Sequence, residues 1–196
     1  MIAVFASGQG SNFEALADAF PGAMAAVVSN VEGAGVLGRA AARGIPTGVV
    51  PHTHFAQRAA HEKAMLQALA ALLHEHDPSG KPLRLLVLAG YMRVLSETFL
   101  SGFAQRYPQA RAWNLHPAHL DQYRGAHAFS FAVEHRFPRW GLSVHEVTAV
   151  LDGGALVDAC EVPVWPTDSA ASLHARARES EHALLVRAVR SHLFPG

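Results

Sequence analysis

Cysteine is nearly missing from this chain: Cys160 is the one thiol in 196 residues. That excludes a disulfide framework and any cysteine-rich zinc site, and it makes a reducing compartment, the cytoplasm, the expected location. A charge surplus is missing too, since 16 Lys and Arg balance 16 Asp and Glu. A dedicated nucleic-acid binder would show a basic excess, so no nucleic-acid partner is expected. Long apolar runs are absent as well. The strongest, residues 85–89, is strand-sized, far short of the roughly 20 residues of a membrane-spanning helix, and no membrane partner is expected. The apolar start at residues 2–6 lacks a preceding basic region and does not read as a signal peptide. With 50% hydrophobic and only 16% charged residues, the composition is that of a folded chain rather than a disordered one.

What is present is a rhythm of short apolar runs and helical patterns. Residues 2–6, 24–28, 47–50, 83–89 and 110–115 read as strands; 13–19, 35–43, 57–76 and 96–105 read as helices. Gly44 marks a helix end, Asp77-Pro78-Ser79-Gly80 a turn, and Ser96 a helix cap. Met65, Leu66, Leu69, Leu72 and Leu73 recur on one helical face. This order implies a parallel, doubly wound α/β sheet with right-handed crossovers. Beyond it, 117–127 reads as a polar loop, 128–135 as a short helix, and 142–147 and 156–164 as antiparallel additions. Asp168-Ser169 caps a last helix to about Leu193. No repeat, low-complexity stretch or linker interrupts the chain, so one domain spanning 1–196 is expected.

Three features carry chemistry. The first strand runs into Ser7-Gly8-Gln9-Gly10-Ser11-Asn12. A glycine loop between a strand and a helix turns backbone N–H groups outward at the positive end of the helix dipole, which suits an anion. Phe13 stands where the dinucleotide fingerprint needs glycine, and the P-loop lysine is absent, so a single phosphate fits better than a dinucleotide or a triphosphate. A plain tight turn fits the same residues. Next, Asn114-Leu115-His116-Pro117 lies at the carboxyl end of the fifth strand, where open parallel sheets bind ligands. Alternation puts Asn114 and His116 on one side and Trp113 on the other. Amide and imidazole together suit a developing oxyanion; local backbone bonding is the alternative. Finally, Asp152-Gly153-Gly154 reads either as a hairpin turn or as a carboxylate that orients a nearby imidazole.

Taken in order and spacing, these segments resemble the formyltransferase family that uses 10-formyltetrahydrofolate. The resemblance includes Ala6-Ser7-Gly8-Gln9-Gly10-Ser11-Asn12-Phe13, Val28-Ser29-Asn30, Leu88-Ala89-Gly90-Tyr91-Met92-Arg93-Val94-Leu95, Asn114-Leu115-His116-Pro117, Ser143-Val144-His145, Leu151-Asp152-Gly153-Gly154 and Glu181-His182. It implies a Rossmann-like doubly wound fold with C-terminal antiparallel strands. It implies transfer of a formyl group from 10-formyltetrahydrofolate to the amine of 5'-phosphoribosylglycinamide in purine biosynthesis, with no metal. It further implies that Asn114, His116 and Asp152 are the catalytic trio. Gly10, Ser11, Asn12 and Arg58 would hold the acceptor phosphate, and Glu181 would contact the glycinamide part. Met92, Arg93, Val94 and Leu95, with Thr148 and Val150, would line the pterin pocket. The partners are then small molecules, and the enzyme a monomer or weak homodimer.

The chain departs from the family after His116-Pro117-Ala118: His119 replaces a leucine, Asp121 a proline, and Arg124-Gly125-Ala126 a Pro-Gly-Leu run. Losing the proline frees φ and loosens the loop. The added polar groups leave another phosphorylated or sugar-nucleotide amine as the alternative acceptor. A metal hydrolase built on His116, His119, His127, His145 and Asp152 lacks the helical His-Glu-x-x-His spacing. A catalytically inactive ligand-binding relative would not need an intact trio. Of the remaining residues, His52 and His54 read as solvated, Trp140 and Trp165 as packing, Cys160 as a small core hydrophobe, and His145 as structural or catalytic with equal weight.

Overall fold

Ile2, Ala3, Val4 and Phe5, and then Leu85, Leu86, Val87 and Leu88, are buried without alternation, the pattern of strands covered on both faces. The computed structural model describes residues 1–76 and 80–194. Its chain forms two compact units, Met1–Trp113 and Asn114–Gly196. One mixed sheet runs through the chain, with its first strands parallel and its last antiparallel, in the order β3-β2-β1-β4-β5-β6-β7.

In the first unit, β1 (Ile2–Phe5), β2 (Met24–Ser29), β3 (Thr47–Val49) and β4 (Leu85–Leu88) alternate with α1 (Ser11–Ala19), α2 (Gly35–Ala42) and α3 (Arg58–His76). Pairs β1/β2, β1/β4 and β2/β3 are parallel, which requires crossovers such as these helices supply. Helix α3 turns Met65 and Leu69 to the core. Helix α4 (Glu97–Arg106) starts at the expected Ser96, whose hydroxyl accepts from the Phe99 N–H at 3.3 Å. Strand β5 (Arg111–His116) begins in this unit and ends in the next. The turn expected at Asp77-Pro78-Ser79 lies outside the described residues. A 3-10 turn at His52–His54 was not legible, being a single turn without a periodic pattern.

The second unit holds α5 (Ala128–Glu134), the antiparallel pair β6 (Arg139–Glu146) and β7 (Leu156–Pro163), and α6 (Ala170–Leu193). Strand β6 begins at Arg139, not Leu142, because Arg139 and Trp140 pair with Pro163 and Val162 and Arg139 meets Glu161 at 2.6 Å. Trp140 is fully buried. Ser169 and Ser172 form a reciprocal cap at the start of α6, which buries Leu173, Ala177, Leu184 and Ala188 at helical spacing. Two packing expectations are corrected. Trp165 is 56% exposed, its ring covered by the Arg176 guanidinium at 3.6 Å, where the cation–π contact takes the place of a core. Cys160 is half-buried on β7, not core, with Sγ 3.9 Å from the Ser180 carbonyl. Among the described residues, no helix is long and apolar enough to cross a membrane.

Candidate active site

Alternation along β5 buries Trp113 and Leu115 and sends Asn114 and His116 the other way. Asp152 comes from the turn after β6, with φ at 49°, a left-handed conformation that Asp tolerates better than most residues. His116 and Asp152, 4% and 7% exposed, place Nδ1 and Oδ2 3.6 Å apart. That is an ion-pair distance, too long for a hydrogen bond. The His116 Nε2 instead donates to the Tyr123 carbonyl at 3.1 Å. A carbonyl can only accept, so Nε2 carries the proton. Burial pushes the His116 pKa below its ordinary value; the Asp152 carboxylate and the Tyr123 carbonyl pull upward, and His145 adds to the lowering. The proton on Nε2 serves the Tyr123 carbonyl, and Nδ1 faces the Asp152 carboxylate.

Asp152 is held mainly by other groups. The Gly125 N–H donates to its Oδ2 at 2.8 Å, and His145 Nε2 lies 3.5 Å from its Oδ1. Burial raises the Asp152 pKa, but the contacts with His145, His116 and the Gly125 N–H outweigh it, so the carboxyl sits below its usual range. Asp152 is therefore the standing anion of the site.

His145, 2% exposed on β6, is the residue left open by the sequence, and it stands between the others. Its Nδ1 donates to the Glu146 carbonyl at 2.8 Å, which leaves Nε2 free to accept from the Asn114 amide nitrogen at 3.1 Å. That contact fixes the Asn114 amide with its nitrogen toward His145. One amide hydrogen is committed there and the second is available. The missed signal was partial: Ser143-Val144-His145 belongs to the segments quoted above, but facing partners cannot be read from a strand alone.

The loop after His116 is tied down, contrary to the looseness expected from losing proline. Trp140 Nε1 donates to the Pro117 carbonyl at 2.7 Å and Ser143 Oγ to that of Ala118 at 2.6 Å. The Gln122 side chain accepts from the Gly141 N–H at 2.8 Å. These bonds replace the stiffness of a proline ring with attachment to β6.

In the first unit, Gly10 caps α1 at φ 85°, and no side chain closes the helix start. A Cβ at Gly10 would lie 2.7 Å from the Val36 side chain, so only glycine lets this loop pass. Asn12 Oδ1 is buried without a hydrogen-bond partner among the described residues. Ser7 Oγ accepts from the Met92 N–H at 2.9 Å and donates to Asn30 Oδ1 at 2.6 Å. Arg58 pairs with Glu62 through Nε at 2.8 Å and donates through Nη2 to the Val94 carbonyl. The structure thus sets Arg58 beside the 92–95 segment. Met92 is 80% exposed and Leu95 buried.

In the second unit, Val150 is 66% exposed, and the Thr148 hydroxyl donates to its carbonyl at 3.1 Å. Glu181 is buried on α6, with 6% of its surface exposed. Among the described residues no group of three or more His, Cys, Asp or Glu side chains is arranged to hold a metal ion.

Residues 1–189 match the family model described as formyl transferase. The phosphoribosylglycinamide formyltransferase of Escherichia coli (strain K12) is 37% identical over 188 residues, which cover 93% of this chain and 82% of that one. The enzyme of the same name from Dictyostelium discoideum is 32% identical over 201 residues, covering 96% of both chains. Among solved structures, phosphoribosylglycinamide formyltransferase from Brucella melitensis superposes with a TM-score of 0.82 at 35% identity, covering 100% of this chain and 96% of that one. Glycinamide ribonucleotide transformylase 1 from Geobacillus kaustophilus gives 0.83 at 30% identity, covering 100% and 98%.

Proposed function

The chain belongs to the formyl transferase family, and from that premise we propose how its residues pass a formyl group from 10-formyltetrahydrofolate to the amine of 5'-phosphoribosylglycinamide. The reaction is formyl transfer in purine biosynthesis, with a folate-derived co-substrate. The observation that carries the assignment of roles is the convergence of Asn114, His116, His145 and Asp152 through contacts of 3.1–3.6 Å.

The folate supplies the formyl group and the departing nitrogen. Attack by the neutral acceptor amine puts negative charge on the formyl oxygen. The Nε2–H of His116 and the free hydrogen of the Asn114 amide are the donors for that charge; one well-placed donor is worth about 3 kcal/mol. Asp152, ionised at neutral pH, favours a proton arriving at His116 Nδ1 as charge develops. Through water, it also takes the amine proton and passes it to the leaving nitrogen. The uncapped start of α1 at Gly10, Ser11 and Asn12 holds the phosphate, with Arg58 as countercharge. Holding the acceptor at a point remote from the amine supplies orientation, which counts heavily in a two-substrate reaction. Met92, Arg93, Val94, Leu95, Thr148 and Val150 take the pterin, and Glu181 orients the glycinamide end from α6. The chain acts as a single catalytic unit, a monomer or weak homodimer working in the cytoplasm without metal.

The test is release of deformylated folate, followed by absorbance, from 10-formyltetrahydrofolate with and without 5'-phosphoribosylglycinamide. Release that depends on the acceptor is the expected result. Folate binding with no acceptor-dependent release would overturn the choice of acceptor and direct attention to other phosphorylated amines, through His119, Asp121 and Arg124.

A further inference from the structure

Glu62 is a carboxylate 3% exposed on α3, and no step of the reaction uses it. Its Oε1 accepts from Arg58 Nε at 2.8 Å and from the Ser96 N–H at 2.9 Å. Its Oε2 accepts from the Ser96 hydroxyl. Both partners lead onward. Arg58 donates through Nη2 to the Val94 carbonyl, and the Ser96 hydroxyl accepts from Phe99 N–H at the start of α4. The segment between Tyr91 and Ser96 has no helix or strand of its own. It is fixed at Met92 by Ser7, at Val94 by Arg58 and at Ser96 by Glu62.

A buried ion pair is a weak source of stability, because desolvation cancels most of the attraction and an apolar replacement often serves as well. A single carboxylate that gathers three donors does supply geometry. It removes the rotamer freedom of a long arginine side chain and sets the direction of two backbone groups in an irregular segment. Binding groups act well only when their supports are fixed in this way.

We propose that Glu62 is a positioning residue for both substrates: it aims Arg58 for the acceptor phosphate and sets the backbone of the 92–96 segment for the folate. This rests on the assignment of Arg58 and of Met92, Arg93, Val94 and Leu95 given above. Glu62 touches neither substrate, so its loss weakens binding and leaves the chemical step nearly intact.

The experiment titrates wild type, Glu62→Ala, Glu62→Gln, Arg58→Ala and the double variant Glu62→Gln/Arg58→Ala with 5'-phosphoribosylglycinamide and with 10-formylfolate, separately, and measures kcat at saturation. Thermal denaturation establishes that each variant is folded at the assay temperature. In Glu62→Ala both dissociation constants rise about tenfold, the scale of a lost charged hydrogen bond. In Glu62→Gln an amide oxygen at the Oε1 position still accepts from the Ser96 N–H, but the negative charge that holds the Arg58 guanidinium is gone, so acceptor binding suffers more than folate binding. The kcat stays within about threefold, as expected for a residue that contributes no contact special to the transition state. The double variant binds the acceptor no worse than Arg58→Ala, since Glu62 acts through that arginine. Wild-type affinities in folded Glu62 variants would overturn the proposal, as would a fall in kcat alone or additive losses in the double variant. Should Glu62→Ala not fold, the isosteric Glu62→Gln decides. A wild type that binds neither substrate overturns the formyl-transfer assignment and this proposal together; a wild type that binds and transfers, with variants to match, overturns this proposal alone.

Discussion

The Nε2 of His116 donates to the backbone carbonyl of Tyr123 at 3.1 Å. In the proposed reaction the formyl oxygen needs that same hydrogen. The loop that carries Tyr123 therefore gives up its contact with His116 when substrate enters, while its attachments to β6 at Pro117, Ala118 and Gln122 lie upstream of Tyr123 and need not break.

His116→Ala removes a donor to the developing charge, so kcat falls by about 10²–10³. The Tyr123 carbonyl loses its partner, costing about 1–3 kcal/mol of stability. Circular dichroism of the variant should match wild type at the assay temperature. An unfolded variant would mark His116 as structural.

Asp152→Asn keeps the shape of the side chain and an oxygen to accept from the Gly125 N–H, but it removes the standing charge. Transfer should fall by about 10²–10⁴, the range of general acid–base catalysis, with folate affinity held close to wild type. Titration of both proteins with 10-formylfolate separates the two effects. Substantial kcat in a freshly prepared variant would remove Asp152 from the proton path.

Stability should rise with pH across the acid range, and the sign follows from two lowered pKa values. Folding depresses the pKa of His116 below 6.5 and that of Asp152 below 3.8. In each case the unfolded chain binds more protons between the two values, so stability increases with pH there. The His116 contribution is complete above the unfolded value and is lost as pH falls through the folded one. The Asp152 contribution behaves likewise at lower pH. Urea midpoints compared between wild type and His116→Ala should diverge toward neutral pH and converge below pH 6.5. Because His61 and His174 are also lowered by burial, the difference between the two proteins is the quantity to read. A difference that grows on acidification would contradict the sign.

Gly154→Ala tests the turn that delivers Asp152. A Cβ there would lie 1.8 Å from the Glu146 carbonyl oxygen, the acceptor for His145 Nδ1. The backbone has to shift, and both His145 and Asp152 shift with it. Activity should drop at least about tenfold, the loss that small misplacements at a site produce, and the thermal midpoint should fall. Normal activity would show that the β6–β7 turn does not set the site.

Much of the fold was legible because its strands are buried on both faces. Runs such as Ile2–Phe5 and Leu85–Leu88 have few alternatives once glycine and turn residues bound them. The start of β6 was not legible, because Arg139, Trp140 and Gly141 carry no strand pattern and are recruited by pairing with β7. In the site, Asn114 and His116 followed from alternation along one strand. His145 stayed open because its meaning depends on Asn114, 31 residues away. Tyr123 and Gly125 act through backbone groups, which no side chain announces. Glu62 carries no signal in the sequence beyond being a charge on a helix; only the fold shows that Ser96 and Arg58 converge on it.

Asp152 occupies a left-handed turn immediately before Gly153, and that neighbour has a chemical consequence for anyone who replaces the carboxylate with an amide. Glycine has no Cβ to shield its nitrogen, so an asparagine placed before it is prone to cyclise to a succinimide, expel ammonia and reopen in part as aspartate. The bond from the Gly153 N–H to the Val150 carbonyl at 3.1 Å restrains that nitrogen while the turn is intact. Preparations of Asp152→Asn should regain activity as they age under alkaline or unfolding conditions, and mass spectrometry would record the gain of one mass unit as the original acid returns.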